Sequence, residues 1–386
     1  MSNQIALPIY LDYQSTTPLD PRVLEAMLPF FTEHFGNPHS TTHSFGWYAD
    51  DAINQAREQI ATLIGAQADE IIFTSGATES NNLAIKGIGR AYRQHRNTII
   101  TVATEHKCVL ESAAVMEHEG MNVVTLAVGA DGLVDLSELE AALSEDTLLV
   151  SIMAVNNEIG VVQPLQSIGA LCRKYKAFFH TDAAQAVGKI ALDVEAMNID
   201  VMSLSGHKIY GPKGIGAFYL RRSSRLKPEP LISGGGQESG LRSGTLSPAL
   251  CVGFGTACAI ASEEWEREAS RLRDYFNQMV DGITSQLSGV VLNGDRKHRI
   301  AGNISLSFEG IDGEMLLSSI RDIAVSSGAA CASAVSGPSY VLQALGVPDS
   351  LAKASLRIGL GRQTTQAEID YVIDHIVNAV ANLRSQ

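Results

Sequence analysis

The sequence predicts an α/β protein: a large domain on a mostly parallel sheet, followed by a smaller α+β domain. Three observations carry this expectation. Short apolar runs alternate with helical stretches through the first two-thirds of the chain. Each run is bounded by turn or helix signals, which suits strands covered on both faces. From about residue 262 the texture changes to a long stretch of charged and apolar residues at helical spacing, then to further short strands and a final helix.

In order along the chain, Asp20 and Pro21 open a first helix over RVLEAMLPFF, a capping acid followed by proline in the first turn. A long helix follows over about 46–64. EIIFTSGATESNNLAIKGI reads as strand, tight glycine turn and helix N-terminus. TIITVA, VVTLA, LLVSIM, AFFHTDA and VMSLS are the expected buried strands. ISGGGQESGLRSGT (232–245) is too glycine-dense to form an element of its own. SEEWEREASRLRDYFNQMVDGITSQL reads as a linker helix, and VVLNGD, NISLSF, AVSSGA and the helix EIDYVIDHIVNAVANL complete the small domain. The expected division is an N-terminal segment 1–14 that joins the small domain in space, a large domain 15–261 and a small domain 262–386.

Length and charge narrow the function. The 386 residues suffice for two cores, and 45% hydrophobic with 18% charged residues is the balance of a soluble globular enzyme. With 29 Lys+Arg against 42 Asp+Glu the formal charge is −13, which argues against nucleic acid or an anionic membrane as the main partner. Docking to a basic patch on another protein stays open. No apolar run is long enough to span a bilayer, and the N-terminus lacks a signal or Arg-rich transit pattern, so a cytoplasmic location is expected. The five cysteines (108, 172, 251, 258, 331) are irregularly spaced with no CxxC, which points to neither a disulfide framework nor a metal site.

The chemistry-bearing residues begin with Lys208, in SGHK after the run VMSLS. A lysine at the end of a buried strand pays for its charge in desolvation, and the free amine so favoured can form a Schiff base with an aldehyde cofactor. A surface lysine in a glycine-rich turn is the plainer alternative. Upstream, Asp182 in HTDAAQ precedes Lys208 by enough chain for one helix and one strand, which would put both at carboxyl ends of strands, where ligands bind. A buried aspartate needs a cationic partner, and the protonated ring nitrogen of pyridoxal phosphate (PLP) is one; capping the next helix is the alternative. Ser75–Ser80 (SGATES) offers backbone N–H groups at a helix N-terminus to a phosphate. It matches neither the nucleoside-triphosphate loop nor the dinucleotide fingerprint.

STTPLDPRV, FGNPHS, SGATESNNLAIKG, TEHK, VNNEIGVVQP, HTDAAQAVGK, SLSGHKIYGPKGIGA, GGGQESGLRSGT, VSSGAACAS and LRIGLGR, in this order, closely resemble the cysteine desulfurases of the IscS/NifS type. These are PLP enzymes of fold type I in the class V aminotransferase group, and the resemblance runs from about residue 8 to residue 384. It implies Lys208 as the cofactor-bearing lysine, Asp182 as partner of the ring nitrogen and Gln185 as donor to the phenolic oxygen. His106 would stack on the ring and move protons. Ala77, Thr78, Ser205 and His207 would hold the phosphate, joined by Thr245 from the neighbouring subunit of a homodimer. Asn157 and Arg357 would face the substrate, Arg357 gripping its α-carboxylate. Cys331 would be the nucleophile that takes sulfur from L-cysteine as a persulfide, leaving L-alanine, for delivery to an acceptor such as an iron–sulfur scaffold protein or the tRNA thiolation machinery. Cys172, Cys251 and Cys258 read as small buried hydrophobes, while Cys108 lies near enough to His106 to approach the ring.

Two departures stand out. The common loop SSGSACTS is SSGAACAS here, with Ala329 and Ala332 in place of hydroxyl residues. Many relatives also extend past the last helix with a tail that helps dock the scaffold; this chain ends at Gln386, so docking through such a tail is not expected. A selenocysteine lyase or another class V aminotransferase-type enzyme is the alternative activity, although transamination has no use for a loop cysteine. A sulfur carrier without catalysis would lack Lys208, Asp182 or Cys331, and all three are present.

Overall fold

The computed structural model describes residues 5–327 and 337–385. Cys331, with Ala329 and Ala332 beside it, and Gln386 lie outside the described residues.

The N-terminal half follows its local signals. Asp20 caps the helix Pro21–Met27 by accepting from the Arg22 amide at 3.0 Å. Pro29, which cannot donate to the preceding turn, restarts the chain as a separate turn, Pro29–Thr32. The helix Ser44–Ile64 ends at Gly65, whose φ of +71° is the left-handed stop that glycine adopts without steric cost.

A seven-stranded sheet forms the centre of the large unit. Its order is Ile71–Thr74, Gly216–Leu220, Val201–Ser205, Phe178–Asp182, Thr147–Ser151, Thr98–Val102, Asn122–Leu126. The last five are mutually parallel. Gly216–Leu220, a strand not anticipated from the sequence, runs antiparallel to both neighbours. Its glycine start resembles a turn, but the glycine serves a close approach: a Cβ at Gly216 would lie 2.6 Å from the Gly76 Cα. The sheet is therefore mixed at one edge and parallel elsewhere.

The linker helix starts well before residue 262, at Pro248, and runs unbroken to Thr284. Its first half buries Cys251, Phe254, Ala257 and Cys258 in the core around the large sheet. Its second half buries Leu272, Phe276, Met279, Val280 and Ile283 in a second core. Each of the larger ones (Phe254, Leu272, Phe276, Met279, Val280 and Ile283) adds roughly 1.5–3 kcal/mol of transfer free energy, so one helix is anchored in both cores. The second core lies on a four-stranded antiparallel sheet, Ser326–Ser327, Ser355–Gly359, Asn303–Phe308, Val290–Leu292. Ile9–Tyr10 pairs in parallel with Ile323–Ala324, and Ile9 and Leu11 are buried in this second core. The N-terminal strand thus belongs with the C-terminal residues, and the turn after it must cross toward the large sheet. Among the described residues no helix is long and apolar enough to cross a membrane.

Candidate active site

The parallel strands deliver the key residues at their carboxyl ends. Asp182 is the last residue of Phe178–Asp182, and its register partner on the adjacent strand is Ser203. That strand ends at Ser205 and continues as the single turn Gly206–Lys208. Two neighbouring strands thereby aim Asp182 and Lys208 into one cleft of about 550 Å³. The helix beginning at Ala77 borders the same cleft with Ala77 and Thr78. His106, Asn157, Gln185, Ser205, His207 and Arg357 line it as well. Thr245 is exposed and does not line the cleft of its own chain.

The polar contacts define two walls. On the sheet side Asp182 is 5% exposed; its carboxylate accepts from Asn81 Nδ2 at 2.6 Å and from the Ala184 amide at 2.9 Å. The Ala184 contact is the capping bond anticipated as the alternative role, so Asp182 caps the turn and faces the cleft at once. The half-buried Lys208 donates from Nζ to the Gln14 carbonyl at 2.6 Å and the Ser15 carbonyl at 2.7 Å. Gln14, Ser15 and Thr16 form the turn that follows the N-terminal strand, and all three line the cleft. Their part was not legible locally: STTPLD carries no signal that its backbone oxygens would hold a lysine far along the chain.

Across the cleft Arg357 is buried to 1% exposure on the strand Ser355–Gly359. Its Nη2 reaches Asp12 Oδ1 at 2.8 Å, Ser15 Oγ at 2.6 Å and Ser326 Oγ at 3.1 Å. Its Nε has no hydrogen-bond partner among the described residues. Asn157 Oδ1 is likewise buried without a partner among them. Such groups cost free energy unless something in the cleft meets them.

The histidines differ in detail. Burial holds the His106 imidazole below its ordinary pKa, partly offset by Asp182, so it is neutral near pH 7. The Cys108 amide donates to His106 Nδ1 at 3.2 Å, which leaves the ring proton on Nε2. Burial, then the charge of Lys208, pushes His207 down to about 4, so it meets an anion as a neutral donor. Glu105, beside His106 and not anticipated from the sequence, is fully buried, accepts from the Met153 amide and is held well above the carboxylate range by desolvation.

The cysteines sort as the sequence implies. Cys172, Cys251 and Cys258 are buried core residues. Cys108 does reach the cleft, its sulfur 3.0 Å from His106 Nδ1 and 3.1 Å from Asn81 Nδ2. Burial and the Asp182 charge push its thiol up to about 12, so it is no thiolate near neutrality.

The residues fit PLP. A buried carboxylate for the ring nitrogen, an amine for the aldehyde, helix-start amides for the phosphate and an Asn157 oxygen without a partner among the described residues share one cleft. Residues 9–372 match the family Aminotransferase class-V. The chain is 56% identical over 382 residues to the cysteine desulfurase IscS of Rickettsia bellii, covering 99% of this chain and 93% of that one. Among solved structures, a NifS-like protein is 37% identical with a TM-score of 0.90, over 97% of this chain and 100% of its own. SspA in complex with cysteine is 40% identical with a TM-score of 0.82, over 91% of this chain and 98% of that one.

Proposed function

The chain belongs to the class-V aminotransferase family and is a cysteine desulfurase, and from that premise we propose a division of labour among its residues. Lys208 carries pyridoxal phosphate and moves the proton at the substrate Cα. When bound, the cofactor supplies a sink for the electron pair left by the broken C–H bond. Asp182, fixed by Asn81 and the Ala184 amide, supplies the negative charge opposite the ring nitrogen. Gln185 donates to the phenolic oxygen, and the amides of Ala77 and Thr78 with Ser205 and His207 hold the phosphate. His106, neutral with its proton on Nε2, packs on the ring and exchanges protons at the substrate.

Arg357 binds the α-carboxylate of L-cysteine. Its Nη2 already faces the Asp12 carboxylate, so the substrate carboxylate shares or takes over a prepared site. Asn157 orients the same end of the substrate. The Cys331 thiolate attacks the substrate sulfur: the Cβ–S bond breaks, an S–S bond forms, and the three-carbon remainder takes a proton at Cβ and leaves as alanine. An acceptor protein, such as an iron–sulfur scaffold, then takes the persulfide sulfur.

A homodimer belongs to the same reading. Phe31, Phe35, Phe45, Trp47 and Tyr48 are each half exposed or more, and the Phe35 and Phe45 rings lie 5.5 Å apart. Five large exposed aromatic side chains within residues 31–48 support a covering subunit, to whose cleft the exposed Thr245 is offered. A cytoplasmic location is part of the proposal, supported by four described cysteines that are all free.

The observation that carries the reading is the pairing of Asp182 and Lys208 at adjacent strand ends in a cleft closed by Arg357. Purified protein given L-cysteine and a thiol should release sulfide and alanine in equal amounts. A Cys331→Ala variant that turns over cysteine at the wild-type rate would remove the sulfur step from that residue.

A further inference from the structure

Behind Gln185 lies a group that the proposed mechanism leaves unused. Lys189 follows it in the turns after Asp182, where the amides of Val187 and Ile190 bond back four residues, so Gln185 and Lys189 share a face. Lys189 Nζ donates to Gln185 Oε1 at 2.9 Å. Gln185 Nε2 donates to the Gln14 carbonyl at 2.8 Å, the same oxygen that accepts from Lys208. On its other side Lys189 borders a small second cavity of about 30 Å³. The titratable groups there are Tyr13, Tyr210, Lys208 and Glu268. Glu268 is already engaged by Arg362 at 3.0 Å and by the Tyr210 hydroxyl at 3.1 Å. Among the described residues Gln185 is the one hydrogen-bond partner of the Lys189 amine.

This arrangement fixes an amide that could otherwise be turned either way. A carbonyl only accepts, so the Gln14 oxygen demands the N–H end of Gln185; an amine with hydrogens to give demands the oxygen end. With both in place, Nε2 has one hydrogen committed to Gln14 and a second free for the cleft. We propose that Lys189 is a positioning residue: by holding Gln185 Oε1 it keeps the Gln185 N–H turned toward the phenolic oxygen of the cofactor. The reading rests on pyridoxal phosphate binding at Lys208. Burial, then the Lys208 charge, lowers Lys189 to about 7, with Glu268 opposing. The ammonium can only donate; once neutral the amine still has two hydrogens for Oε1, and the Gln14 carbonyl, which can only accept, continues to exclude the reversed amide.

The test is a visible-absorbance pH titration of the cofactor-loaded enzyme. A donor to the phenolic oxygen stabilises its negative charge and lowers the pH midpoint of the bound cofactor; losing it raises the midpoint. Lys189→Met, of similar volume, should raise the midpoint by about one pH unit and weaken cofactor binding about tenfold. Lys189→Arg, which restores donors, should return both near wild type. In a Gln185→Leu background, Lys189→Met should add no further shift. An unchanged midpoint in Lys189→Met overturns the proposal, and so does a shift that persists in full without Gln185, which would mean a direct charge effect on Lys208. If the methionine variant does not fold, Lys189→Ala carries the same two expectations. A wild-type protein that shows no pyridoxal band after loading would instead refute the cofactor reading itself.

Discussion

The two walls of the cleft are built on different principles. Asp182 and Lys208 stand at the ends of adjacent strands whose position is set by main-chain ladders and a buried apolar core. Arg357 stands on a strand of the other sheet and is held toward the cleft by Asp12, Ser15 and Ser326, side chains from the N-terminal segment and a short edge strand. The first wall is rigid because Asp182 sits in the sheet ladder and Lys208 follows its neighbouring strand by a single turn. The second is polar: one carboxylate and two hydroxyls meet the guanidinium, and an incoming carboxylate can compete with each of them. A permanent cofactor suits the first wall and a substrate that comes and goes suits the second.

That contrast is open to direct attack. The largest effect should come from the sheet wall: Lys208→Ala is expected to lower cysteine turnover at least about a hundredfold and to abolish the visible band of the loaded enzyme. The melting temperature should hardly move, since Lys208 is only half-buried. Arg357→Lys should lower kcat/KM about ten- to a hundredfold, mainly through KM, because an ammonium cannot make the paired contacts of a guanidinium. A loss confined to kcat would take Arg357 off the substrate side.

The polar wall also carries a pH dependence. Glu158 is buried beside Asn157, accepts from Ser339 Oγ, and is pushed up to about 7 by desolvation, partly offset by Ser339 and Arg357. Its folded pKa is raised above the ordinary glutamate value of 4.5, so its contribution is full below that pH and is lost as pH rises through about 7. Glu158→Gln should therefore gain stability relative to wild type between about pH 5 and pH 8, by up to roughly 3 kcal/mol in denaturant melts. Parallel stability curves for the two proteins would contradict this.

Smaller effects sharpen the picture. Asp12→Asn removes the carboxylate that competes for Arg357, and KM for cysteine should fall about two- to fivefold; a rise would make Asp12 an organiser of the site rather than a placeholder. Smallest of all, Cys108→Ala should change turnover less than about twofold, because a thiol held near 12 supplies no nucleophile. Alkylation at neutral pH followed by peptide mass mapping should mark Cys331 and spare Cys108, Cys172, Cys251 and Cys258.

Legibility followed the same division. Asp182 and Lys208 were readable because each closes a short apolar run, and the parallel order of their strands put them side by side. Asp20 announced a helix start through capping, a local property. The strand Gly216–Leu220 was hidden because its first glycine looks like a turn, and only the approach to Gly76 explains it. The linker helix begins at Pro248 rather than near 262 because its apolar first half, which carries Cys251 and Cys258, belongs to the large core and runs on without a break.

The sequence by itself determined the α/β class, the strand-end positions of Asp182 and Lys208 and the buried character of Cys172, Cys251 and Cys258, since these follow from periodicity and neighbours a few residues away. Only the tertiary structure decided that the Gln14 and Ser15 carbonyls hold Lys208, that Asp12 meets Arg357, and that Gln185 reaches the Gln14 carbonyl. Those contacts depend on where the N-terminal strand docks and how two sheets face each other across one long helix. No local pattern encodes that geometry; the packing of the two cores does.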